Sequence, residues 1–454
     1  MDRKAKVNKR KDGTSLSVYD TLLREVSTRS HTVAVLQWPA KRLLDRLKLL
    51  DGVRRLMGRP ERSLIPNSRR SAADLLIVRV EGAELRTTSA RLAPSALAME
   101  RPAIAPTDLP RLLLAGGWGY GNLGDEAILA GYLFEARARD VTCDVVSVSP
   151  PVTRASLSGI SPGLVGPIRV LDESTLRPGA ASPSELLLLG GGGYLNGTWS
   201  AEIGGKLTRL AFLARGRRVT AHAVELRTLG NPSFTHRIGQ VFTDARLSVR
   251  DSCSAQHAAT LGLPSPDVVP DAISLLYPHI GSLRSPFGFV RDKVLVNLLD
   301  VPGRSDASEA EFPTDQWVLR CKRLLASLER PAIGLALDQS DIEFIVGQLG
   351  LVAVLPLTVR GLISVLGSAR AVISMRMHPA LLSTMLGVPT WALPYCGKVR
   401  PTLTNLGLDS ALVGEGELAI DMSAPGRRVD YSREWTANYS ASSRWLEASI
   451  SGVT

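Results

Sequence analysis

Two successive series of short apolar runs, each run followed by a stretch with helical spacing, constrain this chain more than any other feature. The first series holds RLLLAG (111–116), VTCDVVSVS (141–149), PIRVLD (167–172), ELLLLGGGGYLNG (185–197), RVTAHAVEL (218–226) and RLSV (246–249). The second holds KVLVNLL (293–299), AIGLALD (332–338), LVAVLPL (351–357), AVISMR (371–376) and TWALPY (390–395). Runs this short and this continuously apolar fit strands buried on both faces. Strands alternating with helices predict a parallel sheet with helices packed on each side. Two such series joined across residues 278–292 predict an α/β chain of two Rossmann-like domains facing a cleft. The expected boundaries are 106–285 for the first and 286–425 for the second, with an extension over 1–105 and a C-terminal helix over 426–454.

A glycine loop follows the first run. GYGNLG, Gly119 to Gly124, is a literal G-x-G-x-x-G between a strand and a helix start. Such a turn aims backbone N–H groups at an anion or polar ligand. A dinucleotide site also needs an acidic residue about 20 positions on, at the end of the second strand. That strand ends in Val148-Ser149-Pro150 and Asp144 comes too early, so a dinucleotide is disfavoured. Asp125 and Glu126 suit the first turn of a helix, where the dipole favours acids.

The formal charge of +11 is concentrated at one end: residues 1–70 hold 18 Lys and Arg against 7 Asp and Glu. The rest of the chain is neutral, which argues against a nucleic-acid-binding body. Within the extension, Lys41–Arg59 reads as a basic amphipathic helix, with Leu43, Leu44, Leu47, Leu50, Val53 and Leu56 on one face. Such a helix either lies on an anionic membrane or docks its leucines on the body. The four cysteines are widely spaced with no C-x-x-C, which points to a reducing compartment and no metal site. No apolar run reaches the ~18 residues of a membrane span, and the N-terminus lacks a signal-peptide core. A cytoplasmic protein, peripheral to the inner face of the membrane through residues 41–59, is expected.

Open α/β sheets bind ligands beyond the C-terminal ends of their strands. The first glycine loop presents Gly121, Asn122 and Gly124 there, and a second run presents Gly191, Gly192 and Gly193. Arg250 ends RLSV, with Asp251 and Ser252 as helix caps. Arg376 and His378 alternate with Met375 and Met377, so an extended segment would point both to one side. Lys398 follows TWALPY. Cations from both series in one cleft suit a small polyanion carrying phosphate and carboxylate.

In order and spacing, GNLGDEAIL (121–129), GGGGYL (190–195), SVRDSCSAQHAATLG (248–262), VPDAI (269–273), ISMRMHPALLSTMLGVP (373–389) and YCGKV (395–399) resemble the polysaccharide pyruvyl transferases. The resemblance implies a two-domain fold similar to GT-B. It also implies transfer of the enolpyruvyl carbons of phosphoenolpyruvate onto two hydroxyls of a sugar in a surface polysaccharide precursor or glycolipid, giving a cyclic ketal and phosphate. Phosphoenolpyruvate would be a co-substrate, and no cofactor or metal is implied. Residues matching Arg250, His378 and Lys398 are the donor-binding set it implies, and Asn122 and Asp125 match its first loop. Ketal formation needs an acid, for which His378 is the expected group by type, with Asp125 as a proton acceptor from the sugar. The segment AHAVELRTLGNPSF (221–234), with Glu225 and Arg227, departs from the family's glycine-rich turn, as does the basic extension. Two other readings remain: a glycosyltransferase of like architecture using a nucleotide sugar, and a membrane-associated assembly protein with an inactive cleft.

Overall fold

The computed structural model describes residues 74–81, 84–90, 92, 111–166, 168–176, 186–197, 200–227, 229, 232–304, 316–413, 420 and 430–451. The amphipathic segment 41–59 lies outside the described residues. Among the described residues no helix is long and apolar enough to cross a membrane.

Strands are numbered along the chain. β1 (Leu75–Glu81) and β2 (Glu84–Ala90) come first, followed by β3 (Arg111–Ala115), β4 (Thr142–Ser147), β5 (Ile168–Asp172), β6 (Leu186–Leu189) and β7 (Gly192–Asn196). Next are β8 (Arg218–Arg227), β9 (Arg246–Val249) and β10 (Asp267–Val268). The second half supplies β11 (Val294–Asn297), β12 (Ala332–Leu335), β13 (Ala353–Pro356), β14 (Ala371–Ser374) and β15 (Thr390–Ala392). The principal helices are α1 (Leu123–Ala138), α2 (Ser200–Ala214), α3 (Pro232–Phe242), α4 (Ser252–Thr260), α5 (Trp317–Ala326), α6 (Val359–Ser368), α7 (Met377–Met385), α8 (Val399–Asn405) and α9 (Ser432–Ile450).

The first sheet runs β10-β9-β8-β6-β3-β4-β5, with β7 added on β8. All of its pairings are parallel. The second runs β15-β14-β11-β12-β13-β1-β2. Each sheet therefore reverses its strand order once, between β3 and β6 and between β11 and β14. A crevice opens at such a switch point because successive helices leave on opposite faces. The two series thus give the expected pair of Rossmann-like domains, GT-B-like in plan.

Side-chain alternation explains how the domains join. Leu112 and Leu114 on β3 belong to one apolar core, while Leu113 and Ala115 belong to another beneath α2 and α3. The first core continues without a break into the second domain, through α1, Leu275 and Leu276 to Leu362 and Leu381. α9 then packs back on the first domain, with Trp445 Nε1 donating to Asp267 Oδ2 at 2.8 Å and Ser443 Oγ to Glu135 Oε2 at 2.7 Å.

One expectation is corrected. Residues 75–90, assigned above to the extension, form an antiparallel hairpin on the edge of the second sheet. β1 pairs antiparallel with β13, Leu76 opposite Leu355, and β2 closes the edge. LLIVRVE has strand character, and its inward residues Leu76 and Val78 are buried.

Candidate functional site

The two switch points face each other, and the site is built where they meet. Asn122 caps α1: its Oδ1 accepts from the Gly124 amide at 3.0 Å, and its Nδ2 donates to Asp125 Oδ2 at 2.9 Å. Gly121, at φ 85°, supplies the left-handed turn before that cap. Glu126 Oε1 accepts from the Gly119 amide at 2.7 Å and from Thr153 Oγ1 at 3.3 Å, which ties down the loop from below. Asp125 Oδ1 is buried with no partner.

The second glycine run lies against the same carboxyl. A Cβ on Gly192 would come 3.1 Å from Asp125 Oδ1, and one on Gly193 would come 2.6 Å from Glu225 Oε2. The Gly191 amide donates to Tyr132 Oη at 2.9 Å. Side chains are excluded here so that backbone can approach Asp125 and Glu225.

From the second domain comes His378, on the first turn of α7, buried and with Nε2 unpartnered. A Cβ on Gly124 would lie 2.0 Å from His378 Nδ1, so the two domains touch at these residues. Lys398 leads into α8, and its ammonium makes no hydrogen bond or ion pair among the described residues. Asn405, at the other end of α8, donates to Arg250 O at 2.9 Å and Val269 O at 3.2 Å, fastening the seam.

The cations are not all free. Arg250 is buried, with its guanidinium bonded to Glu225, to Asp271 Oδ2 at 3.1 Å and beside Asp251 Oδ2 at 3.6 Å. Three carboxylates thus surround one arginine. Arg376 does not reach the seam. The helix begins at Met377, not beyond it, so Arg376 and His378 diverge. The Arg376 guanidinium pairs with Asp338 at 2.6 Å and Asp341 at 2.7 Å within the second domain. Its amide donates to Asn297 Oδ1 at 3.1 Å.

Burial and charge set the protonation states. Burial pushes the Asp125 carboxyl up to about 7, with Arg250 and Lys398 limiting the rise. It pushes Glu126 up to about 8 against the Gly119 hydrogen bond. His378 falls to about 4, first by burial and then by Arg250 and Lys398, opposed by Asp271 and Glu225. Its imidazole is therefore neutral at neutral pH. Burial alone would raise Glu225, but Arg250, Lys398 and Arg227 pull it below its ordinary value. For Lys398, Tyr395 and Glu225 outweigh burial and keep the ammonium charged.

These shifts carry a stability prediction. An acid whose pKa is higher folded than unfolded binds an extra proton in the fold, so stability falls as pH rises between the two values. Asp125 and Glu126 lower stability as pH rises to about 7 and 8, whereas the depressed His378 raises it between about 4 and 6.5, so the thermal midpoint of the wild type should fall between pH 6.5 and pH 8. Asp125→Asn should flatten that fall and melt higher than wild type at pH 8; identical slopes by scanning calorimetry would show that Asp125 is not held protonated.

Sequence reasoning missed Glu126, Asp271 and Lys206 as members of this assembly. Lys206 had a visible signal, because it lies with Ile203, Leu207 and Leu210 on the buried stripe of α2, where a cation is out of place. Asp271, in VPDAI, and Glu225, in AHAVELRTLGNPSF, lie in segments singled out above, but their pairing with Arg250 left no signal because it spans strands. Among the described residues no cluster of ligating side chains could hold a metal ion.

A two-domain α/β enzyme-like scaffold with a buried, incompletely paired polar centre at its domain seam is the class that fold and site define. The family model for polysaccharide pyruvyl transferase matches residues 122–397, more than half of the chain, and the protein belongs to that family. No curated protein sequence matches. Solved structures match at low similarity. UDP-GlcNAc 2-epimerase from Neisseria meningitidis is 11% identical at a TM-score of 0.47, over 75% of this chain and 99% of that one. S. aureus MnaA with UDP is 13% identical at 0.49, over 75% and 96%. UDP-GlcNAc 2-epimerase from Methanocaldococcus jannaschii is 10% identical at 0.46, over 75% and 100%.

Proposed function

We propose that the protein transfers the enolpyruvyl carbons of phosphoenolpyruvate onto two hydroxyls of one sugar in a surface polysaccharide precursor or glycolipid, releasing phosphate. The observation that carries this reading is that Asp125 Oδ1 and His378 Nε2, both buried without partners, lie at the seam of the two domains within the field of the Lys398 ammonium. Buried polar atoms are nearly always paired, so a cluster of unpaired ones marks a ligand position.

In this reading Lys398 holds the donor's phosphate, and His378 donates a hydrogen bond to it from Nε2. Asp125, protonated by burial, gives its proton to the donor's methylene carbon. The neighbouring carbon becomes electrophilic and the first sugar hydroxyl adds to it. The second hydroxyl then displaces phosphate as the C–O bond to phosphorus breaks. The two hydroxyl protons are accounted for: one restores Asp125, the other leaves on hydrogen phosphate. Binding of the donor's negative charge raises Asp125 further and brings His378 back up from its depressed value, so more of the acid is protonated once the donor is in place. The basic segment Lys41–Arg59 would bring this centre to an anionic membrane surface, where lipid-linked acceptors reside.

Incubation with phosphoenolpyruvate and a panel of glycan acceptors should release phosphate only when both are present. Asp125→Asn should lower that rate by about 10²–10⁴, the usual worth of a positioned acid. Stabilisation by UDP or GDP without any by phosphoenolpyruvate would instead support a nucleotide-sugar enzyme. The three carboxylates about Arg250 favour one competing reading, an inactive cleft. Donor binding absent by calorimetry in both wild type and Glu225→Gln would support it.

A further inference from the structure

Beside the seam lies a second built cluster that the proposed donor chemistry does not use. Lys206 on α2 is 2% exposed, and its ammonium donates to Gly116 O at 2.9 Å and to Glu173 Oε2 at 2.5 Å. Gly116 begins the loop that delivers Asn122 and Asp125. The same ammonium faces two aromatic rings, 5.9 Å from the centroid of Tyr120 and 5.5 Å from that of Tyr194. Glu173 uses its other oxygen to hold Arg209 Nε.

Burying an ion pair seldom adds stability, because desolvation offsets the attraction. Such a pair is better explained by what it orients, and here it orients two things. It fixes the glycine loop from below. It also locks Arg209, whose side chain is 42% exposed, by its Nε, so that the two outer amino groups are presented as a rigid fork. Tyr194 is 8% exposed, and its hydroxyl is buried without a partner. Its ring edge lies against the positions that Cβ atoms of Gly117 and Gly192 would take, the two glycines that also border Asp125. Tyr194 therefore spans from the reacting carboxyl to the Lys206–Glu173 pair.

We propose that Tyr120, Tyr194 and Arg209 form the subsite for the acceptor sugar, with Lys206 and Glu173 as positioning residues beneath it. The chemistry fits a pyranose carrying vicinal hydroxyls. Aromatic faces take its apolar C–H edges, a fork of N–H donors takes neighbouring oxygens, and the unpaired phenol takes one more hydroxyl. Glu173 neutralises one of the two cations, which suits a neutral sugar better than a second polyanion. This assignment rests on the pyruvyl-transfer reading, since it sets the acceptor one aromatic ring away from Asp125.

Ligand-observed NMR with methyl glycosides of glucose, galactose, mannose and N-acetylglucosamine tests it on the full chain. At least one should bind the wild type. Arg209→Met and Tyr120→Ala should each weaken that binding by about tenfold or more, the worth of a lost charged hydrogen bond or stacking face. In turnover the same variants should raise KM for the acceptor by a similar factor and move KM for phosphoenolpyruvate less than about twofold. Lys206→Met should lower kcat more than it raises either KM and shift the pH limb of Asp125, with Lys206→Arg restoring part of both. No glycoside binding to the wild type, or equal binding by the variants, would overturn the subsite. Glycoside binding lost in the variants, alongside no response to phosphoenolpyruvate, would keep the subsite and sink the donor reading.

Discussion

Gly124→Ala is expected to lower kcat by about a hundredfold while leaving each domain folded. The added methyl would sit 2.0 Å from Nδ1, 2.4 Å from Cγ and 2.6 Å from Cβ of His378. These atoms lie close to the α7 backbone, so no flexible end can swing aside. Because Gly124 and His378 belong to different domains, the strain is relieved most easily by opening the seam. Overpacking of this kind typically costs about 1–3 kcal/mol, and displacing reacting groups by an ångström is enough to cost about 10²-fold. Gly281→Ala, where nothing lies within 4 Å of the new Cβ, is the control. Steady-state phosphate release with both variants checks the expectation. Undiminished kcat in Gly124→Ala would mean that His378 and the first loop are apart during turnover.

The largest loss of stability should come from Arg250→Met. Removing the guanidinium leaves Glu225, Asp271 and Asp251 buried beside one another without their cation. Breaking a buried pair from one side costs about 3–5 kcal/mol. The effect should depend on pH in a defined sense. In the wild type Glu225 is held below its ordinary value, so its contribution is present at neutral pH and is lost as pH falls through the acidic range. In the variant the crowded carboxylates gain protons more readily, so the gap from wild type should narrow between pH 7 and pH 5. Urea denaturation at both values measures it. A gap that stays constant would mean that the carboxylates are solvated and the arginine merely fills space.

How much of this was legible in the chain differs by length scale. Leu186–Leu189 reads as a strand buried on both sides because four consecutive leucines have no other economical place, and all four are buried. Asn122 as a helix cap and Gly121 as a turn follow from local chemistry, and the structure has both. The hairpin 75–90 was hidden because its partner, β13, lies far along the chain and its surroundings are basic. Arg376 was misjudged because alternation was read as extended backbone, whereas a helix starts one residue later and sends the side chain to Asp338 and Asp341. The balance of charge about Arg250 was illegible for a related reason. Glu225 comes from β8, Asp251 from the cap of α4 and Asp271 from the cap of the turn at 272–279, and only the folded sheet brings them to one guanidinium.

The edge hairpin has a practical consequence for anyone shortening the chain. Asp74 and β1 close the outer side of β13, with Leu357 N bonded to Asp74 O at 2.9 Å and Thr358 Oγ1 to Asp74 Oδ1 at 3.2 Å. A fragment begun at Arg111, where the first sheet starts, would strip both strands and leave the amides and carbonyls of Ala353–Pro356 open. An unprotected, apolar strand of that kind recruits its own copies, so such a fragment should precipitate or form sheet-linked multimers. β2, by contrast, forms the outer edge of that sheet.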